Sequence, residues 1–166
     1  MARFDGCLKQ DILYISYYTK HIIMEAIKIL SNKQIVREYI EKLVNTGDTT
    51  NIEMYISPDY TEVYNNTRSS VGINGAIEHI KGVRNTYPDI HLNIEKQIAE
   101  DDWVVTCYTM SGTHKGEWLG MKPTGKKIVV CGVNVDKLKD GKIVEHGGAA
   151  NLLEPLLGIK AVEIAE

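Results

Sequence analysis

Between residues 33 and 46 the apolar positions are Ile35, Val36, Tyr39, Ile40, Leu43 and Val44. The spacing i, i+1, i+4, i+5, i+8, i+9 is one stripe of an amphipathic helix. Arg37, Glu38, Glu41 and Lys42 take the other face; Asn32 is placed to cap this helix and Gly47 to stop it. Asp48 then caps a short second helix carrying Ile52, Tyr55 and Ile56, which ends before Pro58. Residues 60–65 read as a short strand. Ile73, Ala76, Ile77, Ile80 and Val83 predict a third helix over 72–86, closed by Tyr87-Pro88. From His91 the period changes to two. Strands are predicted through Leu92, Ile94 and Ile98, then over 103–114, 127–138 and 142–147, with Asp140-Gly141 as a tight turn before the last. No helix intervenes, so these strands form an antiparallel meander. Helices followed by long strands predict an α+β fold, two to three N-terminal helices packed on a curved antiparallel sheet around a pocket.

Residues 12–30 precede this pattern and are rich in Ile and Tyr, interrupted by Lys20, His21, Glu25 and Lys28. No small-residue cleavage site follows, which argues against a signal peptide. The segment reads as an appendage that packs on the core or on a partner, or as an upstream extension with Met24 as the true start. The expected division is therefore an extension over 1–31, a domain over 32–158 and a tail over 159–166.

Composition narrows the function classes. The 166 residues suit one domain, with 43% hydrophobic and 25% charged residues. A net charge of −3 argues against a nucleic-acid partner, which needs a cationic footprint. No stretch approaches the roughly 20 apolar residues that span a membrane. Cys7, Cys107 and Cys131 are an odd, scattered set without a CxxC, which points to a reducing, cytoplasmic compartment and away from disulfides or zinc. Cys107 and Cys131 fall in predicted strands and are expected to be buried. Ile128, Val129, Val130, Val133 and Val135 place apolar side chains on both faces of one strand. The second face needs a cover, and a homodimer is expected.

The histidines show no metal-ligand spacing, so no metal is expected. His79 reads as a helix-flank residue and His91 as solvent-facing. His114 and His146 fall at predicted strand ends, where pockets open. Asp136 and Glu145 would face each other across the 140–141 turn, an unfavourable pairing of like charges. A bulge shifting the register by one removes the clash, and the pairing reads as an accident of register.

Residues 111–131, SGTHKGEWLGMKPTGKKIVVC, residues 138–146, LKDGKIVEH, and the closing Leu156-Leu157-Gly158 together resemble the SnoaL-like polyketide cyclase and ester cyclase family of the nuclear transport factor 2-like superfamily. VNTGDTTNIEMYISPDY over 44–60 is similar to the family's first-helix ending, and the resemblance covers roughly 32–158. It implies a cone-shaped α+β fold around a pocket, dimeric through the outer sheet face. It also implies intramolecular aldol ring closure by an acidic side chain, with no cofactor. The family's acid stands two residues after the histidine corresponding to His146, or four residues beyond an aromatic that follows that histidine. Here those positions hold Gly148 and Asn151, so the family's acid is missing. The sequence thus supports a pocket for a small, largely apolar organic ligand, lined by Tyr60, Tyr64, Tyr108, Trp118 and Asn151. The alternative is an active cyclase or isomerase using His146, with His114 near by, as general acid/base.

Overall fold

The computed structural model describes residues 4–164. Residues 1–3 of the expected extension and 165–166 of the expected tail lie outside the described residues. The elements run α1 (Phe4–Tyr39), a π-helical turn (Ile40–Val44), a 3-10 turn (Ile52–Met54), β1 (Ile56–Tyr64), β2 (Thr67–Ser70), α2 (Gly72–Thr86), β3 (His91–Glu100), β4 (Trp103–Thr113), β5 (Lys127–Lys139), β6 (Lys142–Ala150) and α3 (Leu153–Gly158). The six strands form one open sheet in the order β2-β1-β6-β5-β4-β3. This is the expected α+β architecture of helices against a sheet.

The sheet departs from an all-antiparallel meander at one junction. β3 to β6 pair antiparallel in sequence order, but β1 joins β6 in parallel, with Glu62 opposite His146 and Val63 opposite Gly147. β1 starts at Ile56, earlier than expected, and includes Pro58 where the register breaks between Ile56 and Thr61. A bulge is where a strand tolerates the missing donor of proline. β2 is a polar edge strand of four exposed residues, reached through Asn65 and Asn66, both at positive φ. Asp140 and Gly141, at φ 50° and 75°, form the expected tight turn between β5 and β6.

The first helix does not begin at Asn32. α1 runs through it, and the Asn32 side chain is buried, donating to the Asp101 carbonyl at the β3–β4 turn (3.4 Å). Upstream, the side chains of Tyr14, Ile15, Tyr17, Tyr18, Ile22, Ile23 and Ile27 are exposed, so this part of the helix does not pack on the core of its own chain. The Lys28–Asp102 ion pair (2.8 Å) holds it to the β3–β4 turn. The helix end is braced by Arg84, which donates to the carbonyls of Val44 (3.1 Å), Asn45 (3.2 Å) and Pro88 (2.9 Å). Such cationic donors satisfy the last carbonyls of a helix. The Asn45 side chain exchanges two hydrogen bonds with the Leu92 backbone and ties the same end to β3.

Val36, Ile40 and Leu43 from the first helix, Ala76 and Ile80 from α2, and Leu92, Val104, Ile128, Val130, Leu138 and Ile143 from the sheet fill the core. On β5, Ile128, Val130, Asp136 and Leu138 are buried while Val129, Cys131 and Val133 face out. Cys131 is therefore exposed and Cys107 half-buried, not sealed in the core as expected. Pro155 lies inside the closing helix. It occupies the first turn of α3, where a missing N–H costs nothing.

Candidate active site

Between the sheet and the first two helices lies a cavity of about 160 Å³. Its apolar lining includes Ile40 and Val44 from the π-helical turn, Ile80 and Val83 from α2, and Leu92 and Met110 from β3 and β4. The π-helical turn widens the backbone where it meets the cavity, a distortion common at functional sites. The polar lining is gathered from six elements: Tyr39 from α1, Tyr60 from β1, His79 and Arg84 from α2, Tyr108 from β4, Asn134 and Asp136 from β5, and His146 from β6. A shallower groove along Glu62–Asn65 and Gly147–Ala150 shares His79, Tyr108, Asn134 and His146 with the cavity, so these four form the common rim.

One pairing organises the polar wall. A one-residue bulge in β6 leaves Val144 without a β5 partner, since Leu138 pairs with Ile143 but Lys137 with Glu145. Asp136 therefore faces His146 and not Glu145, the register shift that removes the carboxylate clash. The Asp136 side chain is buried, only 2% exposed, and its Oδ1 lies 2.8 Å from His146 Nδ1. His146 is 19% exposed and lies within β6, not at its end. Burial alone would pull the His146 pKa down. The Asp136 charge and hydrogen bond, with the Glu62 charge behind them, outweigh it, and the pKa is raised.

A second carboxylate–imidazole pair stands beside the first. Glu62 Oε1 lies 2.8 Å from His79 Nδ1, and that hydrogen bond holds the Glu62 carboxyl below its ordinary pKa against burial. The Tyr60 hydroxyl lies 3.5 Å from the same oxygen. The His79 and His146 rings meet edge to face with centroids 5.7 Å apart. The Tyr39 and Tyr60 phenols are raised well above the ordinary value, chiefly by burial and further by the charges of Asp136 and Glu62. They stay protonated and remain hydrogen-bond donors at neutral pH.

Of the residues singled out from sequence, His146, Tyr60 and Tyr108 come together on the cavity. Tyr64 is 76% exposed and lies along the groove. His114, Trp118 and Asn151 lie outside the cavity lining. His114 is fully buried behind Tyr87, with Nδ1 3.4 Å from the Thr124 hydroxyl and Nε2 without a partner. Trp118 packs in the loop before β5, bridged to Met121. Asn151 is exposed and pairs through its backbone N–H with the Cys131 carbonyl. At Gly148, where the resemblance expects an acid, a side chain does not fit without movement: a Cβ there would lie 2.2 Å from the Val133 carbonyl oxygen. Gly132 has the complementary role, since a Cβ there would meet the Tyr108 hydroxyl at 2.4 Å.

Glu62 was not singled out from sequence, His79 was read as a helix-flank residue, and Asp136 was set aside as an accident of register. Asp136 had a local signature, a charged residue in the buried phase of an otherwise apolar strand. Glu62 and His79 had none, because their partners lie on other elements.

The fold has counterparts among known proteins. The family description "SnoaL-like polyketide cyclase" matches residues 33–157. The chain belongs to the SnoaL-like polyketide cyclase family. Nogalonic acid methyl ester cyclase of Streptomyces nogalater is 30% identical over 104 residues, covering 61% of this chain and 78% of the relative. Aklanonic acid methyl ester cyclase AcmA of Streptomyces galilaeus is 32% identical over 116 residues, covering 67% and 78%. Among solved structures, AclR of Streptomyces galilaeus, described provisionally as a hydroxylase, superposes with a TM-score of 0.71 at 25% identity, covering 83% of this chain and 86% of its own. Among the described residues, no helix is long and apolar enough to cross a membrane.

Proposed function

We propose that this SnoaL-like protein is an acid–base enzyme that needs no cofactor and closes a ring in a small, largely apolar keto compound by intramolecular aldol addition. The observation that carries this reading is the buried Asp136 carboxylate paired with His146 on the cavity wall. The carboxylate takes the Nδ1 proton as its hydrogen-bond partner, fixes the tautomer and leaves Nε2 as the base. His146 Nε2 removes a proton from carbon next to a carbonyl. The enolate carbon attacks a second carbonyl of the same molecule, and the new alkoxide takes up a proton, so the product is an isomer of the substrate. Asp136 and Glu62 stabilise the imidazolium formed on the way, and the Tyr39 hydroxyl offers a donor to the enolate oxygen.

The cavity volume is close to that of protein cavities that accept benzene. One ring of the substrate fits inside, and its substituents follow the groove past Gly147 and Gly148. The family's missing acid is then replaced from the neighbouring strand. Binding without turnover is the second reading, favoured by the absence of a carboxylate at Gly148 and Asn151.

The test is ring closure by wild type, His146→Ala and Asp136→Asn on a panel of polyketide methyl esters and single-ring keto esters. The expected result is turnover of the single-ring compounds, lost about 10²-fold or more in His146→Ala. Saturable binding of the panel with no turnover of any member establishes the binding reading instead. The outward-facing Val129 and Val133, with Ile98 exposed on β3, support a homodimer across this face. Light scattering at micromolar concentration is expected to give twice the chain mass, and a monomer mass refutes the dimer.

A further inference from the structure

We propose that His79, held by Glu62, is a second acid–base residue at the rim, delivering a proton to the substrate's carbonyl oxygen while His146 takes one from carbon. The inference rests on the reading of His146 as the base. Four elements converge to build the pair: β5 supplies Asp136, β6 His146, β1 Glu62 and α2 His79. Glu62 and His146 are register partners across the parallel junction, so the two carboxylate–imidazole pairs are set side by side by the sheet itself.

In both pairs the carboxylate engages Nδ1, at 2.8 Å, and leaves Nε2 for other chemistry. Both imidazoles line the cavity and the groove. Their environments differ in access to water. The His79 side chain is 44% exposed and the His146 side chain 19%. A donor that must recover its proton each cycle belongs on the wetter side, and a base that must act on a carbon acid on the drier one.

The protons balance. His146 Nε2 accepts the proton from carbon as the enolate forms. His79 gives the Nε2 proton to the carbonyl oxygen that becomes the hydroxyl when the carbon–carbon bond closes. Transfer from His146 to His79, directly or through solvent, restores the starting state. The groups facing the two rings are Glu62 and Tyr60 from β1, Asp136 from β5, Tyr39 from the end of α1 and Tyr108 from β4. Arg84, on the same helix as His79, is committed to backbone carbonyls.

The experiment uses acetophenone as a single-ring carbon-acid probe in D2O and follows exchange of its methyl protons by NMR across pH. Enolisation needs a base at carbon and a donor at oxygen, so it reads both residues without requiring the natural substrate. Wild type is expected to exchange the probe with a bell-shaped pH profile. His79→Gln, which can still hydrogen-bond Glu62, is expected to lose 10-fold or more of the rate and the alkaline limb of the bell, with the probe's Kd unchanged. Glu62→Gln is expected to move the same limb by less, and reads the role of His79 if His79→Gln does not fold. Retention of rate and bell shape by His79→Gln, while His146→Ala abolishes exchange, overturns this inference alone. No exchange by wild type with the probe bound overturns both this inference and the reading of His146 as the base.

Discussion

His114 and His146 look alike in the sequence. Each sits in or just beyond a long strand and is followed by glycine within two residues. In the structure they are opposites. His146 reaches a cavity, has a buried carboxylate at 2.8 Å and keeps contact with solvent. His114 follows β4 and is buried at the base of an exposed loop, held by backbone bonds from its N–H to Lys126 O and from Gly125 N–H to its carbonyl, with one ring nitrogen unpartnered. Placement at the end of a strand therefore does not make a histidine chemical. What separates the two is the phase of the neighbouring strand: β5 presents Asp136 inward, opposite His146, and nothing comparable reaches His114.

The largest expected effect breaks this contrast at its centre. His146→Ala is expected to lower turnover about 10²-fold or more, whereas His114→Ala leaves kcat within about 2-fold of wild type. Steady-state kinetics on any turned-over keto ester settles it. Equal losses in the two variants, both still folded, erase the distinction.

The next effect concerns where a carboxylate can stand. Gly148→Asp, which places a carboxylate where the sequence resemblance expects the family's acid, pushes a Cβ against the Val133 carbonyl and is expected to cost about 3 kcal/mol through overpacking of the β5–β6 pair. The obstacle is steric, because Gly148 is not among the positive-φ residues. Denaturant unfolding with an unchanged midpoint rejects this reading.

Stability sharpens the contrast from the other side. His114→Ala empties a fully buried site and is expected to cost about 2 kcal/mol. His114→Leu removes the unpartnered nitrogen while keeping most of the volume, and is expected to stay within about 1 kcal/mol of wild type. Comparable losses in the two variants show that the imidazole itself is required.

The smallest effect is a change of sign. His146 is raised above its unfolded pKa, so its charged form stabilises the fold below about pH 6.5. That contribution fades as pH rises through the folded value. In Asp136→Asn burial becomes the dominant influence and pulls the pKa below the unfolded value. Stability then rises with pH across the same window. The nearby Glu62 carboxyl is lowered and already ionised there, so it does not mask the effect. Unfolding midpoints at pH 5.5 and 8.0 for the two proteins are expected to slope in opposite directions.

Much of the fold was legible because it is written in local periodicity. α2 was readable from Ile73, Ala76, Ile77, Ile80 and Val83, and the Asp140-Gly141 turn fixed the last hairpin. What escaped lacks a local record. β2 is TRSS, exposed throughout, and exists because β1 offers an edge. The parallel β1–β6 junction joins segments distant in sequence, which a period cannot report. Asn32 looked like a cap because its side chain suits one, but a tertiary partner at Asp101 claims it inside a longer helix. The site divides the same way. His146, Tyr60 and Tyr108 came from chemistry and position. Asp136 was visible and set aside with Glu145, because the expected bulge was read only as removing a clash and not as placing Asp136 opposite His146. His79 and Glu62 became meaningful only when α2 was laid beside β1.

The β1–β6 junction has a further consequence, for the order in which the protein assembles. β3 to β6 are hairpin neighbours whose pairings close short loops, while β1 meets β6 only after the whole intervening chain has folded back. Loop-closure entropy delays such a pairing. The Glu62–His79 and Asp136–His146 pairs lie on either side of this junction, so we expect them to come together last, after the meander is formed. Pulsed hydrogen exchange during refolding reads this directly. Protection at the β4–β5 amides is expected before protection at Glu62 and Val63, and simultaneous protection places the nucleus at the junction instead.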